Sequence, residues 1–395
     1  MVYLDNNATT PLAPGVLDAM LPYLTGQFGN PSSPHAAGMA AKTAVGSARA
    51  VVASLIGGRP AEVIFTASAS EANHTAILGI LADAPSGRRG FVTTAVEHPS
   101  ILLLARDLVR RGWPVTIVPV DDQGRVDLAE LAAAVDGTTA LVSVQWANNE
   151  TGTIQPVTEA AAIAHAAGAL FHTDAVQAAG RIPVSGPAAG ADLLTISAHK
   201  IHGPKGIGAL WVRKGTDLAP LVHGHQERSR RGGTENVPAI AGFAAAALQA
   251  MDALPAMADV AALRDRLERA ILAGCPGAAV NGAGADRLPN TANIRFSGPQ
   301  GYPLNGEELL MRLDRAGIQV SMGAACASGG NAPSHVLLAL GLSGEEASSC
   351  LRFSLSRFTS ADDIAAVENA LPPLFARFAR VTGFSNDKKT GAHRQ

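Results

Sequence analysis

Lys200 closes an apolar, β-rich run, Leu193 to Ile196, which breaks at Ser197-Ala198-His199-Lys200 before Gly203-Pro204-Lys205-Gly206 turns the chain into a second run, Ile207 to Val212. The pattern predicts a lysine where a buried strand ends. Burial disfavours an ammonium, so an amine there can be nucleophilic near neutral pH and hold an aldehyde cofactor as a Schiff base; a plain loop lysine is the alternative. Asp174 ends the preceding apolar run. A carboxylate at that place keeps a pyridinium nitrogen protonated as an electron sink, the partner that a pyridoxal phosphate lysine needs, although Asp174 can equally cap a helix. Gln177, one turn further on, can reach the cofactor's phenolic oxygen, and His98 can stack on the ring and shuttle protons.

Two further stretches bear on chemistry. Thr66 to Asn73 is a run of small hydroxylic residues that opens a helix, so its free amides suit a phosphate, unless Ser68 or Ser70 merely caps the helix. Cys326 lies in Ser321-Met322-Gly323-Ala324-Ala325-Cys326-Ala327-Ser328-Gly329-Gly330, a stretch of small residues with neither a strand nor a helix period. It reads as a thiol on a mobile loop, able to attack a substrate and swing toward an acceptor, whereas Cys275 and Cys350 read as packing. Arg352 alternates with Leu351, Phe353 and Leu355, which turns it away from the core face, toward solvent or a substrate carboxylate.

The elements that must hold these groups follow a rhythm. Seven strand candidates, Val63–Phe65, Phe91–Ala95, Val115–Val120, Ala140–Trp146, Ala169–Thr173, Leu193–Ile196 and Ile207–Val212, alternate with alanine- and leucine-rich helical stretches. This implies an α/β domain with a mostly parallel sheet covered on both faces. Ligands bind beyond the carboxyl ends of such strands, and five of the runs are followed by polar clusters, at Thr66–Asn73, Glu97-His98, Asn148–Glu150, Asp174–Gln177 and Ser197–Lys200. Residues 1–40, rich in turn formers, predict an arm or a substrate-facing loop. The expected division is an arm over 1–20 joining the small domain, a large domain over 21–254, a small α+β domain over 255–380 and a disordered polar tail over 381–395.

Composition narrows the class. The net charge is −2 and charged residues are 16% of the 395, which disfavours a dedicated nucleic-acid binder. The longest apolar region, Ala239 to Met251, is well short of the ~20 residues a membrane helix needs, and MVYLDNNATT has no basic segment ahead of an apolar run, so neither a span nor a secretory signal is expected. Three cysteines without metal-ligand spacing suit a reducing, cytoplasmic setting.

Taken together, YLDNNATTP, FGNPSSPH, VIFTASASEAN, VEHPSI, WANNETGTIQPV, FHTDAVQAAG, SAHKIHGPKGIGAL, RRGGTENV, GAACASG and LRFSLSRF run nearly end to end. They resemble the cysteine desulfurases of the nitrogen-fixation and iron–sulfur-cluster type, in the class V aminotransferase group of pyridoxal phosphate enzymes. That resemblance implies a fold-type-I homodimer acting on L-cysteine, with Lys200 bound to the cofactor and Asp174 on the ring nitrogen. By the same matching His98 stacks on the ring, Asn149 and Gln177 contact it, and Ala69, Ser70, Ser197 and His199 hold the phosphate, with Thr234 reaching in from the partner subunit and Ala198 also among the cofactor-binding residues. Arg352, with Asn149, takes the substrate carboxylate. Cys326 is then the nucleophile that leaves alanine and an enzyme persulfide, and it can share a transient iron–sulfur cluster with a scaffold protein; no intrinsic metal is implied. The GAACASG loop is similar to the longer loop of the cluster-assembly group, which implies direct sulfur transfer to a scaffold. Ser70 in place of threonine, His74 in place of asparagine and His223-Gly224-His225-Gln226-Glu227 in place of a glycine-richer run depart from the pattern. A selenocysteine lyase or transaminase on the same fold, or a non-catalytic binding partner, are the alternatives.

Overall fold

The β-branched and apolar runs read from the sequence form a seven-stranded sheet in the computed structural model, which describes residues 1–298, 301–323 and 332–381, the last six as backbone only. In spatial order the strands are Val63–Thr66, Gly208–Val212, Leu193–Ser197, Leu170–Asp174, Thr139–Ser143, Gly90–Thr94 and Val115–Val118. Gly208–Val212 is antiparallel to both of its neighbours and every other pairing is parallel. Most of these strands are buried along their whole length because helices cover both faces, which is why they read as continuous apolar runs rather than as alternating ones. Alternate residues serve opposite faces. Leu194, Ile196, Ala209 and Trp211 pack into one apolar cluster, while Leu193, Leu210 and Val212 pack into another.

A third apolar cluster gathers around a three-stranded antiparallel sheet, Ala279–Val280, Thr291–Arg295 and Cys350–Ser354, covered by the helices Met257–Gly274, Gly306–Arg315 and Ala361–Val381. The first residues of the chain are tied to this part. Val2–Tyr3 pairs in parallel with Ile318–Gln319, and Asp5 bridges to Ser354. The chain then crosses to the large sheet, where the backbone amide and hydroxyl of Thr10 donate to the carbonyl of His199 at 3.1 and 2.9 Å. Residues 6–10 therefore join the two cores beside Lys200. No single helix among the described residues is long and apolar enough to cross a membrane.

Candidate active site

Five strands of the large sheet end at one place, and the residues at or just beyond each carboxyl end form the walls of a cavity of about 280 Å³. That volume sits near the lower end for small-molecule pockets, ~300 Å³. Val63–Thr66 leads to Ser68, Ala69 and Ser70; Gly90–Thr94 to His98; Thr139–Ser143 to Gln145 and Asn149; Leu170–Asp174 to Asp174 itself and Gln177; Leu193–Ser197 to His199 and Lys200. Parallel strands point their carboxyl ends the same way, so residues far apart in sequence converge there.

Ser68 caps the helix Ala69–Asp83 by accepting from the amide of Glu71 at 3.1 Å. The amides of the first turn, Ala69 and Ser70 among them, face the cavity end of the helix, where intrahelical carbonyls cannot reach them. Gly208 makes that approach possible: a Cβ built on it would lie 2.6 Å from the carbonyl carbon of Ser68 and 2.8 Å from the amide of Ala69. One turn into the same helix, Asn73 donates to Asp174 Oδ2 at 2.8 Å and to the hydroxyl of Ser100 at 3.1 Å. Asp174 Oδ1 accepts the amide of Val176 at 3.0 Å. The carboxylate thus has a fixed orientation at the cavity wall.

His98 is both the cap of helix Pro99–Arg110 and a wall of the cavity. Its Nδ1 accepts the amide of Ser100 at 3.1 Å and faces that residue's hydroxyl at 2.8 Å, so in the neutral ring the proton sits on Nε2. Burial lowers its pKa, and Lys200 adds to this, while Asp174 opposes it. His199 is pushed down to about 4, chiefly by burial and then by Lys200. Lys200 Nζ donates to the carbonyls of Asn7 and Ala8 at 2.5 and 2.7 Å, which ties the amino-terminal turn to the amine.

Arg352 is only 1% exposed, so the solvated strand arginine that its alternation also allowed is excluded. Its Nη2 donates to Asp5 Oδ1 at 2.8 Å, and its Nη1 to the carbonyls of Asn149 and Gly323 at 3.1 and 3.2 Å. Its Nε is buried without a partner, as is Asn73 Oδ1. Glu150 lies beside it, its pKa raised by burial against the hydroxyl of Ser334, which donates at 2.6 Å. A Cβ on Gly323 would collide with Glu150 Oε2, so a larger residue there would push the Glu150 carboxyl aside.

Of the residues singled out in the sequence, Lys200, Asp174, His98, Gln177, Asn149, Ala69, Ser70, His199 and Arg352 line this cavity. Ser197 ends its strand and Ala198 follows it, both buried, and neither lines the cavity; Thr234 is exposed and is not among the lining residues of the single chain. Cys326 lies outside the described residues, as does the tail from 382 onward. Asn73, Asn7 and Glu150 fell within stretches that the sequence flagged, but their contacts were not legible; Arg181, four residues after Gln177 and bonded to it, was missed, because the segment between them is a series of turns with no period to read.

The family model for aminotransferase class V matches residues 2–367. Among curated proteins, a cysteine desulfurase of Cereibacter sphaeroides is 49% identical over 98% of this chain and 99% of its own length. Cysteine desulfurase 2 of Trichormus variabilis is 46% identical over 98% and 96%. Among solved structures, a NifS-like protein superposes with a TM-score of 0.88 at 35% identity, covering 95% of this chain and 99% of that one. SspA in complex with cysteine gives 0.80 at 32% identity, covering 91% and 100%.

Proposed function

The chain belongs to the class V aminotransferase family and is a pyridoxal phosphate-dependent cysteine desulfurase; from that premise we propose that the cavity around Lys200 holds the cofactor and L-cysteine, and that Cys326 receives the sulfur as a persulfide for iron–sulfur cluster assembly. The observation that carries the reading is the convergence of an amine, a carboxylate, a neutral histidine and a helix amino terminus on one cavity. The donor set fits the cofactor. Lys200 would hold its aldehyde carbon, Asp174 its ring nitrogen, Gln177 its phenolic oxygen, and Ala69 and Ser70 at the helix start its phosphate, with Ser197, Ala198, His199 and the partner subunit's Thr234 as further contacts. The unpartnered Asn73 Oδ1 is a polar atom awaiting a ligand in such a pocket.

When bound, the cofactor supplies an electron sink that stabilises negative charge at the substrate carbon next to the amine. The protein's own groups do the rest. Arg352, with Asn149 beside it, receives the substrate carboxylate, and its unpartnered Nε is one donor for that purpose. His98 lines the cavity with its proton on Nε2 and a depressed pKa, so it stays neutral near pH 7 and has that proton to give. The thiolate of Cys326 attacks the sulfur of the bound cysteine. An S–S bond forms, the substrate's Cβ–S bond breaks, and the electron pair left on Cβ is protonated to give L-alanine. Gly323, whose carbonyl touches Arg352, is three residues from Cys326, and three residues span at most ~10 Å, which supports this assignment.

We also read the protein as a cytoplasmic homodimer that passes sulfur to a scaffold or other acceptor protein. The exposed Leu17, Leu21, Leu24 and Phe28 support a partner on that side, and Cys275 and Cys350, both unpaired and buried, support a reducing setting. The separate apolar clusters support a large domain over 21–254 and a small one over 255–380; of the arm read over 1–20, Val2 and Leu4 pack with the small core, whereas Ala13 and Val16 pack with the large one. The experiment is direct. Cys326→Ala should still form a coloured adduct with cysteine but release no sulfide or alanine, and Lys200→Ala should lose the yellow chromophore. Normal desulfuration by Cys326→Ala would overturn the nucleophile, and a colourless wild type would overturn the cofactor.

A further inference from the structure

Arg181 is a buried guanidinium whose acceptors are all carbonyl oxygens: Gln177 Oε1 and Gln177 O at 2.7 Å each, Lys200 O at 3.3 Å and Asn6 O at 3.5 Å. A guanidinium carries five donors and no acceptor, so it can face only the oxygen end of the Gln177 amide. The nitrogen end is then turned to the other side, where Nε2 donates to the carbonyl of Asn7 at 3.1 Å. Flipping the amide would set NH₂ against guanidinium and lose a bond to a charged donor, which holds the flipped form down on the order of tenfold to a hundredfold. Arg181 also reaches the backbone of Lys200 and of Asn6, next to the two carbonyls that receive Lys200 Nζ.

We propose that Arg181 is a positioning residue for the cofactor site: it locks the Gln177 amide with its N–H groups on the cavity side, so that Gln177 acts only as a donor to the cofactor's phenolic oxygen. The assignment rests on the cofactor reading above. Arg181 does not line the cavity itself, and it acts through Gln177, which does. Burial, with Arg352 nearby, brings its pKa down to about 9, so it is still a charged donor at neutral pH. A donor on the phenolic oxygen favours the deprotonated form of the lysine-linked chromophore and lowers its titration midpoint. Without Arg181 only the bond to the Asn7 carbonyl still favours this orientation, the flipped amide gains population, and the midpoint rises.

The test is a pH titration of the visible absorption of the protein loaded with pyridoxal 5′-phosphate. Arg181→Met should raise the midpoint by about three- to tenfold in proton affinity, in the direction and size of Gln177→Leu. The double variant should shift no further than either single one, because the two act through one bond. Arg181→Lys, still a donor without an acceptor, should stay within about threefold of wild type, and it keeps the test decisive where Arg181→Met fails to fold. A wild-type midpoint in Arg181→Met, additive shifts in the double variant, or a large rise in Arg181→Lys would each overturn the proposal. A wild type with no chromophore would instead remove the cofactor reading on which it stands, so the two failures are distinguishable.

Discussion

At the scale of single residues, two buried groups make stability depend on pH in opposite directions. Glu97 is enclosed next to the cavity, its Oε1 accepting from Thr94 and Gln145 while Oε2 has no partner, and burial raises its pKa from 4.5 to about 8. The folded state therefore keeps a proton that the unfolded chain releases above pH 4.5, so this contribution to stability falls as pH rises through 8. His172, enclosed between the hydroxyls of Ser143 and Thr195, is pushed from 6.5 down to about 3 by burial. The unfolded chain takes up a proton below pH 6.5 that the folded one refuses, so stability falls as pH drops from there toward 3. Between 6.5 and 8 only the first effect remains of the two. Glu97→Gln should flatten the loss of stability across that window in denaturant titrations, and a variant that loses stability as steeply as wild type would contradict a protonated Glu97.

At the scale of elements, the helix Ala69–Asp83 carries two ends of the site at once. Its first turn offers amides, and Asn73, one turn on, orients Asp174. Its seat is fixed by the flush contact with Gly208 on the neighbouring strand, where the atoms that a Cβ would strike belong to backbone and cannot rotate aside. Gly208→Ala should therefore displace the helix start. We expect a loss of about 1–3 kcal/mol by thermal or chemical denaturation and at least about tenfold weaker cofactor binding by equilibrium dialysis. Gly46, inside the helix Ala36–Leu55 with open space around it, is the control: its change to alanine should be neutral or stabilising by up to about 1 kcal/mol. Equal behaviour of the two variants would mean that the helix seat does not depend on Gly208.

At the scale of the whole molecule, the chain threads between its two cores just where the chemistry is gathered. Asn7 donates to Thr291 on the small sheet and to the carbonyl of Asn149 at the end of the large one, and the next carbonyl, of Ala8, receives Lys200. Arg352, on the small sheet, reaches Asn149 and Asp5 from the other side. The site therefore needs both cores docked. Leu17, Leu21, Leu24 and Phe28, the last 82% exposed, leave apolar side chains at the surface that the proposed second copy would cover. If the proposed homodimer forms through this face, Leu17→Glu with Leu21→Glu should give a folded monomer in sedimentation velocity, and cofactor binding should weaken if the partner subunit's Thr234 contributes to it as proposed. A double variant that remains dimeric would place the interface elsewhere.

The strand rhythm, the polar residues at one end of each strand, and the lysine, aspartate, histidine and arginine were all legible in the chain, because apolar period and strand-end position are local properties and sequence carries local properties directly. The seven expected strands each formed, with ends shifted by a few residues where hydrogen-bond pairing, not composition, sets the boundary. Which polar atoms meet was decided only by tertiary structure. Whether Asn73 supports Asp174, whether Arg352 is buried or solvated, and which end of Gln177 faces the cavity all depend on contacts across 101, 203 and 170 positions of chain. No periodicity encodes such pairs, since the free energy that selects them comes from burial and from satisfying each donor once the sheet has brought the loops together.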